Sequence, residues 1–174
     1  QCRKVKLKKG IKMSILVTGG SGFVGRNLVE HLKYPILAPT HKELDLTDKE
    51  NVENYFSKNK VDFIIHCACE GVVNWKNAKC GSNNVEMFLH LVLAKQCPMI
   101  TFGSGADIQL DKEYGLSKYL IKDFCRFYLQ TYNLRLFGVF GKYESPTRFI
   151  TYCINQKLAN KAVKIPFNKS IDYL

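Results

Sequence analysis

A tyrosine and a lysine stand four residues apart in the stretch Tyr-Gly-Leu-Ser-Lys at 114–118. On a helix that spacing brings Tyr114 and Lys118 to one face. A lysine ammonium beside a phenol lowers its pKa, so Tyr114 would give or take a proton near neutral pH. A surface Tyr–Lys pair on an amphipathic helix is the plainer alternative, because the spacing alone is common. What separates the two readings is whether the surrounding elements bring anything else to that face.

The first such element is Ser-Ile-Leu-Val-Thr at 14–18, a run of apolar and β-branched residues that predicts a buried strand. It leads into Thr-Gly-Gly-Ser-Gly-Phe-Val-Gly, which sets Gly19, Gly22 and Gly25 three residues apart where a helix begins. A dinucleotide pyrophosphate binds backbone N–H groups at a positively polarised helix N-terminus, and side chains there would block the turn, the approach and the helix–strand packing. A tight strand-to-helix turn needs glycine for backbone reasons alone. The position directly after a buried strand favours nucleotide binding.

From there the chain alternates short apolar runs with longer helical ones. Helices are predicted over 23–33, 48–59 (capped by Thr47 or Asp48), 83–96, 114–132 and 147–159. Strands are predicted over 35–39, 61–68, 98–104 and 133–141. This rhythm predicts an α/β fold, a Rossmann-like doubly wound parallel sheet with helices on both faces. The domain is expected to span 13–166.

The glycine pattern resembles that of the short-chain dehydrogenase/reductase superfamily, and its Phe-Val-Gly ending resembles the extended branch, which acts mostly on nucleotide sugars. The likeness runs along nearly the whole chain from Met13, and the form Tyr-Gly-Leu-Ser-Lys is similar to that of nucleotide-sugar epimerases and reductases. The resemblance implies NADP or NAD as cofactor, with Gly19, Ser21, Gly22, Phe23, Val24 and Gly25 at the dinucleotide and Lys118 gripping the nicotinamide ribose. The acid that usually ends the second strand and binds the adenosine ribose is replaced by Thr40, His41 and Lys42, which slightly favours NADP; a polar loop without cofactor contact is the alternative. Asp45 and Leu46 match the adenine-recognition position, with a helix cap as the other reading. Cys67, Ala68 and Cys69 take the places of small residues that let the backbone lie against the cofactor. Asn84 matches an asparagine of the family, or caps a helix. Arg135 is expected to be structural and Phe137 to approach the nicotinamide.

The third catalytic hydroxyl of this family falls just after the strand at 98–104. Ser104 is the candidate, with Gly105 beside it and a turn-capping serine as the alternative. Nine residues separate Ser104 from Tyr114, fewer than the family carries. Asn-Lys-Ser-Ile-Asp-Tyr-Leu at 168–174 resembles the start of the segment leading to a C-terminal substrate domain, so 167–174 is expected to open that domain.

The 174 residues carry a net charge of +11. Six of the 26 basic residues lie in the first twelve positions, and without them 20 face 15 acidic residues. Residues 1–12 are therefore expected to be a basic extension that folding does not need, and no nucleic-acid partner is expected. No apolar run reaches the ~20 residues of a membrane span. Seven cysteines, an odd number without paired metal-ligand spacing, fit a reducing compartment, so a cytoplasmic location and no metal are expected. The leading reading is a nucleotide-sugar epimerase or 4-keto-sugar reductase that binds a nucleotide-sugar substrate and forms a homodimer. The second is a catalytically idle dinucleotide-binding domain that senses redox state or holds a partner.

Overall fold

In a computed structural model, residues 13–70, 80–94 and 97–164 are described. The expectations for 1–12 and 167–174 lie outside them. The described elements are β1 (Ile15–Thr18), α1 (Phe23–His31), β2 (Ile36–Leu37), α2 (Lys49–Lys58), β3 (Phe63–His66), α3 (Cys80–Ala94), β4 (Met99–Ser104), a 3-10 turn (Gly105–Ile108), α4 (Glu113–Phe124), β5 (Thr131–Leu136) and α5 (Phe149–Leu158). The strands form one sheet in the order β2-β1-β3-β4-β5, and every pairing is parallel. The α/β doubly wound fold is as expected.

Alternation along the strands divides the core. Leu16 and Ile64 face one side, where they pack with Val52 of α2, Phe88 and Leu91 of α3 and Ile121 of α4. Ile15, Val17 and Ile65 face the other, against Leu28, Val29 and Leu32 of α1. Both faces of the central strands are thus covered, which is why they read as unbroken apolar runs.

Several boundaries differ from expectation. The helix expected over 114–132 stops at Phe124, and the chain then tightens through Cys125 N–H to Ile121, Arg126 N–H to Asp123 and Phe127 N–H to Phe124. Gln130 adopts a left-handed conformation, φ 62, and β5 starts at Thr131, two residues early. Pairing with β4 is the reason: Met99 through Ser104 take Thr131 through Leu136 in register, and Phe127 and Leu129, which looked like continued helix, are 76% and 94% exposed. β5 also ends at Leu136 rather than 141, and β2 is reduced to Ile36–Leu37. Of the two proposed caps for α2, Asp48 accepts from the Asn51 N–H at 3.1 Å, while Thr47 donates to Asp45.

One buried carboxylate fastens the turn after β4. Asp107 is 2% exposed; its Oδ2 accepts from Arg135 of β5 at 2.5 Å and lies 3.1 Å from the Lys122 ammonium of α4. Arg135 is therefore structural, as the sequence suggested. Burial pushes the Asp107 carboxyl up, but the hydrogen bonds from Arg135 and Lys122 outweigh it and hold the group below its ordinary range. Because the folded value is depressed, this stabilisation is present above the unfolded pKa and disappears as pH falls through the folded value. Asp107→Asn should cost about 2–3 kcal/mol, read as a lower urea midpoint at unchanged slope, and the deficit should vanish in strong acid.

Candidate active site

Since β1 lies between β2 and β3, the chain leaves it in one direction and returns on the other, and a crevice opens where the order reverses. Thr18 at the end of β1 faces His66 at the end of β3, and the Thr18 Oγ1 to His66 Nδ1 distance is 2.8 Å. One residue on, Gly19 turns with φ +65, and a Cβ there would stand 2.6 Å from the Ala68 nitrogen. A Cβ on Gly25 would stand 2.2 Å from the Gly19 carbonyl oxygen. The glycines bring the two loops and the start of α1 into backbone contact. Gly22, the N-cap of α1, offers no side-chain cap, and no acid sits in the first turn. The exposed polar N–H groups of an uncapped helix beside a cleft of about 380 Å³ fit a dinucleotide pyrophosphate.

The cleft runs past Gly19, Ser21 and Gly22, His41, Asp45 and Leu46, and Cys67 through Glu70. Phe23, Val24 and Gly25 form the first turn of α1 behind it. At the far end His41 is 80% exposed in its side chain and stands 3.8 Å from Asp45. Asp45 accepts from the Thr47 hydroxyl and N–H, which hold it below the ordinary carboxylate range. Glu43 is an acid close to the position from which ribose is usually bound. Its Oε2 accepts from the Thr40 N–H at 2.7 Å and hydroxyl at 2.8 Å, and it does not line the cleft. Lys42 is exposed and does not line it either.

At the other end, Tyr114 sits in the first turn of α4 and Lys118 one turn later. Lys118 is 7% exposed; its Nζ donates to the Phe102 carbonyl at 2.9 Å and lies 5.6 Å from the Tyr114 ring centroid. Ser104 caps the 3-10 turn, its Oγ accepting from the Ala106 N–H at 3.2 Å, and it stands beside the Tyr114 phenol, whose ionised form it favours. Cys69, from the loop after β3, also hydrogen-bonds Tyr114.

Burial foremost, with Cys69 adding, pushes the Tyr114 phenol up to about 12, while Ser104 and Arg148 pull against it. The sequence expectation that Lys118 would lower this group is not what the arrangement produces. Lys118 acts on its neighbours in β3 instead. Burial and then Lys118 take His66 down to about 3, so it is neutral, and burial takes Cys67 up to about 12 against the Lys118 charge. Cys67 is thus a protonated, inert thiol at neutral pH.

Asn84 lies in the second turn of α3, because the helix starts at Cys80 rather than Asn83, and so it caps nothing. Its amide accepts from the Glu70 N–H at 2.8 Å and donates to the Glu70 carbonyl at 3.1 Å and to Ser117 at 3.4 Å. Ser117 in turn donates to the Tyr114 carbonyl at 2.8 Å. Every hydrogen-bonding atom of Asn84 is thereby used to tie the Cys69–Glu70 loop to the Tyr114 turn. The motif serine, Ser117, is one end of this tie, and the spacing of the motif gave no sign of it.

A further connection was absent from the sequence reading. Phe137 lies against Gly105, where an added Cβ would stand 3.4 Å from its ring, and the chain then crosses to α1. There the Asn27 side chain donates to the Lys142 carbonyl at 2.7 Å, Lys142 pairs with Glu30 at 2.5 Å, and Arg26 stacks 4.1 Å from the Tyr143 ring centroid. Among the described residues no group of acids, histidines and cysteines is arranged to hold a metal, Cys67, Cys69, Cys97, Cys125 and Cys153 form no disulfide, and no helix is long and apolar enough to cross a membrane. Gly25→Ala should weaken NADPH binding by about tenfold or more, measured by quenching of protein fluorescence, with the helical content retained.

A family model for the NAD dependent epimerase/dehydratase family matches residues 15–170. A GDP-L-colitose synthase from Yersinia pseudotuberculosis is 32% identical over 122 residues, which is 63% of this chain and 39% of that protein. A GDP-L-fucose synthase from Azorhizobium caulinodans is 37% identical over 95 residues, covering 49% of this chain and 29% of its own. The chain thus spans less than half the length of these curated relatives. Among solved structures, a dTDP-4-dehydrorhamnose reductase from Bacillus anthracis in complex with NADP superposes with a TM-score of 0.74 at 22% identity, over 86% of this chain and 61% of that one. That likeness is one of fold, and the family follows from the sequence match along most of the chain: the protein belongs to the NAD dependent epimerase/dehydratase family.

Proposed function

We propose that this chain supplies the cofactor site and the proton-transfer group of a nucleotide-sugar 4-keto reductase or epimerase. The observation that carries the reading is that Cys69, on the loop that lines the glycine cleft, also neighbours the half-buried Tyr114 phenol, with Ser104 beside it. NADP(H) or NAD(H), bound across that crevice, would supply or accept a hydride. Gly19, Ser21 and Gly22 would receive the pyrophosphate, Asp45 and Leu46 the adenine end, and the backbone of Cys67, Ala68 and Cys69 the middle. NADP(H) is favoured because Glu43, the acid nearest the ribose position, is bound to Thr40 and does not line the cleft, so it is not offered to the ribose hydroxyls, whereas His41 does line it.

Tyr114 would give its proton to the sugar oxygen in the reducing direction and take it back in oxidation. Ser104 would hold that oxygen within reach, and Lys118, fixed by the Phe102 carbonyl, would meet the nicotinamide ribose. The Asn84–Ser117 tie keeps Tyr114 and the Cys69 loop at a fixed separation, and Phe137 borders the nicotinamide end. The GDP- and dTDP-sugar names of the relatives support a nucleotide-sugar substrate. The exposed Leu116 and Tyr119 of α4 suit a homodimer contact, and cysteines that form no disulfide suit a cytoplasmic enzyme. No observation favours the idle-domain reading.

The test is a titration with NADPH and NADH followed by turnover of 4-keto nucleotide sugars. Tyr114→Phe should keep NADPH affinity and lose about 10²–10⁴ in turnover. Binding by the unsubstituted protein with no turnover would sink the enzyme reading. With the phenol raised to about 12, its proton stays in place over roughly pH 6–9, so reduction should show no alkaline loss there while the reverse oxidation speeds up with pH.

A further inference from the structure

The segment after β5 builds a second hollow at the same end of the sheet as the glycine cradle. In a parallel sheet every strand ends on one side, so the chain leaving β5 at Leu136 emerges beside Ser104, its register partner at the end of β4. Phe137 then lies against Gly105, and the Val139 N–H donates to the Phe137 carbonyl at 3.0 Å. Val139 walls a cavity of about 290 Å³ together with Glu144, Thr147, Arg148, Phe149 and Ile150. Three residues of chain span at most about 11 Å, which bounds how far Val139 can stand from Leu136.

Glu144 is turned inward at this cavity, its side chain 4% exposed. Its Oε1 lies 3.3 Å from the Arg148 Nε, and its Oε2 accepts from the Thr151 hydroxyl. An exposed ion pair contributes little to stability, and burying a carboxylate costs free energy unless its oxygens are bonded. Both oxygens are bonded here, and the cation they hold faces outward, 53% exposed in its side chain. Glu144 takes Arg148 through Nε, and among the described residues the two terminal nitrogens have no hydrogen-bond partner. A guanidinium fixed at Nε and open at its far end is a preorganised fork for a phosphate. The lining sets this fork and Thr147 opposite the apolar Val139, Phe149 and Ile150, a wall suited to the organic part of the same ligand.

We infer that this cavity is the anion subsite of the substrate, in which Arg148, braced by Glu144 and Thr151, receives the diphosphate of a nucleotide sugar. The assignment rests on the reductase–epimerase reading, which places the reacting sugar oxygen at Ser104 and Tyr114. In a nucleotide sugar only the sugar ring separates the diphosphate from that oxygen, and the cavity opens just beyond Phe137, whose ring meets the residue after Ser104. The dinucleotide cleft shares no lining residue with this cavity. The cofactor pyrophosphate at the glycine cradle and the substrate diphosphate at Arg148 can therefore be held together.

The test needs no turnover. The full chain is saturated with NADPH and titrated with GDP, dTDP and UDP, with Arg148 intact, with Arg148→Gln and with Arg148→Lys. At least one diphosphate should bind, and Arg148→Gln should weaken it about tenfold or more while NADPH affinity is unchanged. Arg148→Lys keeps the charge without the fork and should recover only part of the loss. Equal diphosphate affinity in Arg148→Gln overturns the assignment, and so does failure of all three to bind. An equal loss of NADPH affinity gives Arg148 a role in the fold and overturns it too. Should Arg148→Gln fail to fold, phenylglyoxal labelling of the unsubstituted chain decides: bound diphosphate should shield Arg148 from modification, mapped by mass spectrometry, and an unshielded Arg148 overturns the assignment. In a chain that takes up neither NADPH nor NADH the titrations are run without cofactor, and binding lost in Arg148→Gln then supports the subsite and removes the reductase–epimerase reading alone.

Discussion

The contact on which the rest depends is the backbone approach between the end of β1 and the end of β3. Gly19 and Ala68 meet so closely that a methyl group on Gly19 would enter van der Waals space around the Ala68 nitrogen. The Thr18–His66 hydrogen bond, buried and opposite in register, sets this approach one residue earlier. Because a buried pair of polar groups must find each other, the two strands cannot slip without leaving both unsatisfied. With that register in place, the glycine cradle, the start of α1 and the Cys67–Glu70 loop line one crevice.

The Tyr114 end is built on the same principle, with buried polar groups fastening loops to helices. Asn84 joins the Cys69–Glu70 loop to the Tyr114 turn through Ser117, and Asp107 joins the turn after Ser104 to both α4 and β5. Tyr114 beside these ties is partly buried, and burial is the largest influence on its ionisation. Burial, and then the Lys118 charge, keep His66 neutral.

Local patterns were the legible part. The glycine spacing announces the strand–turn–helix, the apolar runs announce the central strands, and the interval from Tyr114 to Lys118 places both on one helix face. Those features are local because each is decided within a few residues by backbone sterics or helical period. The end of α4 departs from the local pattern for the same reason: Phe127 and Leu129 continue a helical pattern locally, while pairing with β4, whose residues partner those 32 positions on, draws the chain into a strand at Thr131.

What the sequence determined by itself is the Rossmann-like order of elements, the cradle of Gly19, Gly22 and Gly25, and the candidate pair Tyr114 and Lys118. Only the tertiary structure decided which charges reach which groups. It gave Ser104 a cap and a place beside Tyr114 together, spent Asn84 on a loop, turned Glu43 away from the cleft, and directed the Lys118 charge to His66 and Cys67. The physical reason is that electrostatic effects depend on distance and burial in three dimensions, and neither can be read from the spacing of residues along a chain.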